Sequence, residues 1–141
     1  MTQRSDVALL LTGNELMSGD TVDSNSSRIA LALGERKIAV GKKITVGDDP
    51  SLLGQSLRDL CCDARVVIIN GGLGPTEDDL TADVVADVSG AALVTHPKAV
   101  AHLEDWCARR GLDLNASNLK QALLPEGAEL VANPIGSAVG F

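Results

Sequence analysis

The feature that most narrows the fold is a strand-length apolar run that stops at glycine and leads into a helical stretch. Asp6 to Thr12 stops at Gly13 and is followed by an amphipathic segment from Ser24 to Lys37, with Ile29, Ala30 and Leu33 on one face. Ile38 to Val46 stops at Gly47-Asp48-Asp49-Pro50, where Asp49 is placed to cap a helix and Pro50 to occupy its first position. Leu53, Leu57, Leu60 and Cys61 then mark the buried stripe. Arg65 to Asn70 ends in the loop Gly71 to Pro75 and precedes a helix expected over Glu77 to Ser89, with Leu80, Val84 and Val88 inward and Gly90 as its stop. His96-Pro97 opens a further helix, with Val100, Leu103 and Cys107 on one face and Gly111 at its end. A short helix over Ser117 to Leu123 and a last strand over Ala128 to Val131 complete the reading. Strands alternating with helices predict the α/β class: a mostly parallel sheet with right-handed crossovers, covered on both faces as a three-layer sandwich.

Composition agrees with that class. The 141 residues are 45% hydrophobic, enough for a single domain with one sizeable core. Trp106 and Phe141 are the aromatic residues, so Leu, Val, Ile and Ala must fill the interior, as in buried parallel strands and their covering helices. Nineteen acids against twelve bases give a net charge of −7, which argues against nucleic acid or an anionic membrane as partner and favours a small ligand or a protein. Val7 to Leu11 is too short for a signal-peptide core or a membrane span, and a cytoplasmic location is expected. Cys61, Cys62 and Cys107 lack disulfide or zinc-site spacing and read as reduced thiols.

Chemistry is expected where the strands end. In an open parallel sheet the loops Gly13 to Asp23, Gly47 to Pro50 and Gly71 to Thr76 all open at the carboxyl edge, where ligands of such folds bind. Asn70-Gly71-Gly72-Leu73-Gly74-Pro75-Thr76 runs into a helix, so its glycines permit close backbone approach and free N–H groups face an anion. The string lacks the Gly-Lys-Ser/Thr ending of a P-loop and the third glycine of a dinucleotide fingerprint. A tight turn with no ligand is the plain alternative.

Acids gather at the same loops: Glu15, Asp20 and Asp23, then Asp48 and Asp49, then Glu77, Asp78 and Asp79. Carboxylates beside a phosphate site call for a hard divalent cation, which can bridge to a diphosphate and polarise it for attack. Capping is the competing account, because Thr76 and Asp79 have capping-box spacing, Glu77 and Asp78 suit a helix dipole, and Asp49 is a natural cap. His96 and His102 have no neighbours at metal spacing, and Ser18, Ser24, Ser26 and Ser27 form no nucleophile elbow. Trp106 reads as a core or interface residue.

Three ordered strings carry a resemblance. They are Gly13-Asn14-Glu15-Leu16-Met17-Ser18-Gly19-Asp20-Thr21-Val22-Asp23-Ser24-Asn25, Gly71-Gly72-Leu73-Gly74-Pro75-Thr76-Glu77-Asp78-Asp79-Leu80-Thr81 and Asn133-Pro134-Ile135-Gly136-Ser137-Ala138-Val139-Gly140-Phe141. Together they resemble the CinA amino-terminal domain of the wider MoaB/Mog family over essentially the whole chain. The resemblance implies a molybdopterin-binding-type fold, with adenylyl transfer to molybdopterin in Mog members and metal-dependent cleavage of ADP-ribose in CinA members. It implies Asp48 and Asp79 as catalytic acids, and Asp78 with Asp79 as ligands of magnesium, manganese or cobalt. Gly71, Gly72, Gly74, Pro75 and Thr76 would face the phosphate of a nucleotide or pterin, with Gly13, Glu15, Gly19, Asp20 and Asn25 on the opposite wall. A homo-oligomer, dimer or trimer, is implied as well. The family pattern continues past the Gly-Phe pair into a strand and a Leu-Pro-Gly-x-Pro segment, so an incomplete pocket is expected. The nicotinamide mononucleotide deamidation of a second CinA domain is not implied.

Three functional expectations follow: a metal-dependent ADP-ribose pyrophosphatase, a pterin- or nucleotide-binding and oligomerisation module without turnover, and an adenylyl transferase in molybdenum cofactor synthesis.

Overall fold

A computed structural model describes residues 5–141. The chain forms two compact units, one running to Gly71 and the other from Gly72 to Phe141.

The first unit contains β1 (Ser5–Thr12), α1 (Asn14–Ser18), α2 (Asn25–Gly34), β2 (Val40–Val46), α3 (Pro50–Asp63) and β3 (Ala64–Asn70). Its strands form a parallel sheet in the order β2-β1-β3. Every residue of β1 from Val7 to Thr12 is buried, as expected of a central strand covered on both faces. Val7, Leu9 and Leu11 pack with Leu16 of α1 and with Ile29 and Leu33 of α2. The alternate residues Ala8 and Leu10 face the other way, and α3 lies against β1 and β3 with Leu53, Leu57 and Leu60 buried. Each such leucine contributes about 1.5–3 kcal/mol by burial. The layers of this unit are therefore helix, sheet and helix, as the alternation predicts.

Asp49 and Pro50 start α3 as their types require: the Asp49 carboxylate accepts from the Leu52 N–H at 2.8 Å and Pro50 sits in the first turn. The expected stripe is corrected at its last member. Cys61 is exposed beside exposed Cys62, and Leu60 closes the stripe because the position after it has rotated away from the sheet. The first loop also holds the short helix α1, which sequence periodicity did not reveal.

The second unit contains α4 (Thr81–Ser89), β4 (Leu93–Thr95), α5 (Pro97–Ala108), α6 (Ala116–Lys120) and β5 (Leu123–Pro125). Its core is Ala99, Leu103, Ala122, Leu124 and Val139, with Val100, Leu114 and Phe141 packed around it. The expected extension of the parallel sheet does not occur within this unit, where β4 and β5 pair antiparallel. Leu123, read as the end of a helix, begins β5, since α6 stops at Lys120. The strand expected over Ala128 to Val131 reduces to one bridge between Val131 and Gly140. The helix expected from Glu77 begins at Thr81, and Gly90 closes it in the left-handed conformation, φ 71°. Among the described residues no helix is long and apolar enough to cross a membrane.

Candidate functional site

In the first unit the loop after β1 and the loop after β2 are tied together by Asp48. Its two carboxylate oxygens accept from the Thr12 hydroxyl at 3.1 Å and the Asn14 N–H at 3.0 Å. The Asp48 N–H in turn donates to the Asn14 side-chain oxygen at 2.9 Å. Asp48 thus spends both oxygens on fastening two strand ends. Gly71 completes this edge with φ 110°, and a Cβ there would collide with the Thr12 carbonyl oxygen.

Of the other expected members of the first unit, Gly13 is buried at the start of α1, and Glu15, Gly19, Asp20 and Asn25 are exposed. Glu15 lies in the first turn of α1 and Gly19 caps its end; Asp20 accepts from the Ser18 hydroxyl at 2.6 Å. Asn25 donates through its side-chain amide to the Asn70 side-chain oxygen at 3.1 Å, joining the first turn of α2 to the end of β3. Asp23 accepts from the Ser26 N–H at 2.9 Å and from the Ser26 hydroxyl, with Lys43 at 3.4 Å. The Ser26 bonds, chiefly that of the hydroxyl, hold the Asp23 carboxyl below its ordinary range against a small desolvation cost, with Lys43 adding to them.

In the second unit, residues 72–80 form a turn rather than the first turn of a helix, and Asp79 organises it. Asp79 Oδ2 accepts from the Thr76 hydroxyl at 2.7 Å and from the Thr76 N–H at 2.9 Å. Partial burial pushes the Asp79 carboxyl up; the bonds from Thr76, with the nearby Gly74 N–H and the charge of Lys120, outweigh it and hold the carboxyl below its ordinary value. Gly74 is required by this approach, because a Cβ there would lie 2.5 Å from Asp79 Oδ2. The bonding matches half of the expected capping box, but the box closes a turn ahead of α4, whose own cap position is Leu80. Gly72 carries φ 66°, and its carbonyl accepts from the Thr81 N–H at 3.1 Å; Pro75, Thr76, Glu77 and Asp78 are exposed.

Two residues that no motif marked hold this turn in place. Lys120, at the end of α6, donates to the Asp79 carbonyl at 2.7 Å and to the Thr76 carbonyl. Gln121, 7% exposed, donates to the Leu73 carbonyl at 3.3 Å and the Ser137 hydroxyl at 3.2 Å, while its Oε1 has no partner among the described residues. Both partners of each residue are distant in sequence, so spacing carries no signal of them. His102 is a structural residue, bonded through Nε2 to the Gly136 carbonyl at 2.9 Å, and Trp106 stacks under Arg110 at 4.2 Å.

Among the described residues no three His, Cys, Asp or Glu side chains converge as a metal cage. Asp78 is exposed, and Asp79 Oδ2 is taken by the Thr76 donors.

A family model described as "Probable molybdopterin binding domain" matches residues 8–141. A solved structure of the protein CinA from Thermoplasma acidophilum, titled as of unknown function, superposes with a TM-score of 0.87 at 30% identity, covering 97% of this chain and 80% of that one. The chain belongs to this molybdopterin-binding domain family, in its CinA branch. The CinA-like protein of Colwellia psychrerythraea is 51% identical over 96% of the chain and 31% of that protein; that of Geobacter metallireducens is 45% identical over 95% and 32%. The chain thus spans about a third of the length of these curated relatives. The MoaB of Pyrococcus furiosus, a tungsten cofactor synthesizing protein, shares the fold at a TM-score of 0.57 and 16% identity, covering 99% of this chain and 81% of that one. The expected family and its α/β fold therefore stand.

Proposed function

We propose that this CinA-type domain binds the phosphate of a nucleotide or pterin at the 72–79 turn, and that the bound diphosphate of ADP-ribose is hydrolysed there with a divalent metal. The observation that carries the reading is that the Thr76 N–H and the Thr76 hydroxyl, in a glycine-rich turn, already converge on an anionic oxygen, that of Asp79. Donors of a glycine-rich turn arranged around one anion are suited to another, and a phosphoryl oxygen has the same charge and acceptor geometry.

In this reading Thr76 and Gly74 bind and orient the phosphate, Lys120 holds the turn rigid through its carbonyls, and Asp79 accepts the proton of the attacking water. Asp78, with Asp79, would hold magnesium, manganese or cobalt, which supplies charge neutralisation at the diphosphate. The test is AMP release from ADP-ribose with and without each metal, run beside Asp79→Asn. Metal-dependent release that falls at least about a hundredfold in the variant supports the reading, as loss of a positioned acid–base group does. Release that is absent, or unchanged in Asp79→Asn, rejects it.

A binding module without turnover is the second reading, and Asp48 favours it. A carboxylate whose two oxygens already hold the Thr12 hydroxyl and the Asn14 amide is built as a fastener rather than a base. Calorimetric binding of ADP-ribose without AMP release would select this reading over the first. Adenylyl transfer to molybdopterin would instead require ATP consumption that depends on the pterin.

A further inference from the structure

We propose that Asp79 is a built-in occupant of the anion site, and that a phosphoryl ligand enters the 72–79 turn by exchanging with its carboxylate. The inference rests on the phosphate-binding reading above and specifies how that site is filled and emptied.

The donors expected to receive a phosphate are not idle in the described fold. Thr76 gives its N–H and hydroxyl to Asp79 Oδ2 at 2.9 and 2.7 Å. Gly74 has no Cβ to keep that carboxylate away, and one placed there would sit 3.0 Å from its Cγ. A dianionic phosphate brought to these donors would meet a fixed negative charge at hydrogen-bond distance, so carboxylate and phosphate cannot share them.

The turn is arranged so that the side chain can leave while the backbone stays. Its closure does not depend on the carboxylate: the Asp79 N–H bonds the Thr76 carbonyl at 3.2 Å, and Lys120 bridges the carbonyls of both residues. Rotation of the Asp79 side chain then exposes the Thr76 donors without unfolding the turn. An independent observation comes from Gln121, whose side-chain amide grips the Leu73 carbonyl of the same loop. This residue is more than nine-tenths buried and keeps Oε1 without a donor. A buried unpaired acceptor is rare in a finished hydrogen-bond network. It leaves the loop with capacity for a donor that the present arrangement does not supply and that a protonated phosphoryl ligand or its water can.

An exchange site has a signature opposite to that of a carboxylate that recruits the ligand. Titration calorimetry with inorganic pyrophosphate, without metal, would compare the wild-type chain with Asp79→Ala, Asp79→Asn and Asp78→Ala. The last removes the same charge one residue away. Emptying the site is expected to tighten pyrophosphate binding at least about tenfold in Asp79→Ala, beyond any gain in Asp78→Ala, because the occluded fraction of the site no longer subtracts from affinity. Asp79→Asn, which keeps the shape of the side chain, is expected to fall between wild type and Asp79→Ala. In wild type, saturating pyrophosphate should also move the amide resonances of Gly74 and Thr76 in proton–nitrogen spectra, a readout that needs no variant. If pyrophosphate binds wild type but Asp79→Ala binds no tighter than Asp78→Ala, or if those two amides stay still at saturation, the exchange is overturned while the anion site survives. If no form of the chain binds pyrophosphate, the anion site and the exchange fall together.

Discussion

Replacing Gly74 with alanine offers a direct measure of the Asp79 turn. The backbone at Gly74 lies outside the left-handed region, so alanine itself is tolerated there and the conflict is with one group. The new Cβ would stand 2.5 Å from Asp79 Oδ2, and the carboxylate must withdraw. Withdrawal forfeits the bonds from the Thr76 hydroxyl and the Thr76 N–H. At about 0.5–1 kcal/mol each for a partly exposed group, the loss is about 1–2 kcal/mol. For a chain of 141 residues this lowers Tm by roughly 3–10 °C.

The control is the same substitution made on Asp79→Ala, where no carboxylate stands in the way. There Gly74→Ala should cost nothing and can gain about 0.4–1 kcal/mol by restricting the unfolded chain. The coupling between the two sites, read by thermal or urea unfolding, should be about 1–2 kcal/mol. The pH dependence has a definite sign. The folded-state value of Asp79 lies below its ordinary 3.8, so its contribution is complete above the unfolded value and is lost as pH falls through the folded one. The wild-type advantage over Gly74→Ala should therefore shrink only below about pH 4. Equal penalties in both backgrounds, or a penalty that persists undiminished at pH 2, would refute the account.

Two further outcomes follow from the same geometry. Lys120→Met leaves the Thr76 and Asp79 carbonyls without their ammonium donor; we expect a loss of about 1–2 kcal/mol and faster amide exchange at Asp79 and Thr81, with exchange in α3 unchanged. Unchanged exchange at Thr81 would remove Lys120 from its holding role. Asp48→Ala frees the Thr12 hydroxyl and the Asn14 N–H, and should cost about 1–3 kcal/mol in urea unfolding without altering pyrophosphate affinity. A stable Asp48→Ala variant that no longer bound pyrophosphate would return Asp48 to the ligand.

The first unit was legible because its signals are local. A continuous apolar run flags the doubly covered strand β1, and Asp49 before Pro50 marks a helix start by a bond that reaches three residues. The second unit was harder for physical reasons visible in particular residues. Glu77, Asp78 and Asp79 have the composition of a helix start, yet Asp79 spends its carboxylate on the turn and α4 waits until Thr81. β4 and β5 are three residues each, too short for any period to show, and Leu123 continued the apolar face of α6 while belonging to a strand. The motif around Gly72 to Asp79 was readable as a candidate site, whereas the part of Lys120 and Gln121 in holding its turn was not. Their partners are over forty residues away for Thr76, Asp79 and Leu73, and only the folded chain brings them together.

The interior strand β1 also governs how sequences of this kind can diverge. A strand with one wet face can drift at every second position, but from Val7 to Thr12 β1 has no such position. Change from Val7 to Leu11 must trade one apolar shape for another and be answered by its neighbours, Ile29 and Leu33 for the odd positions and the leucines of α3 for the even ones. Novelty is thereby pushed to the strand ends, where the chain leaves the layers.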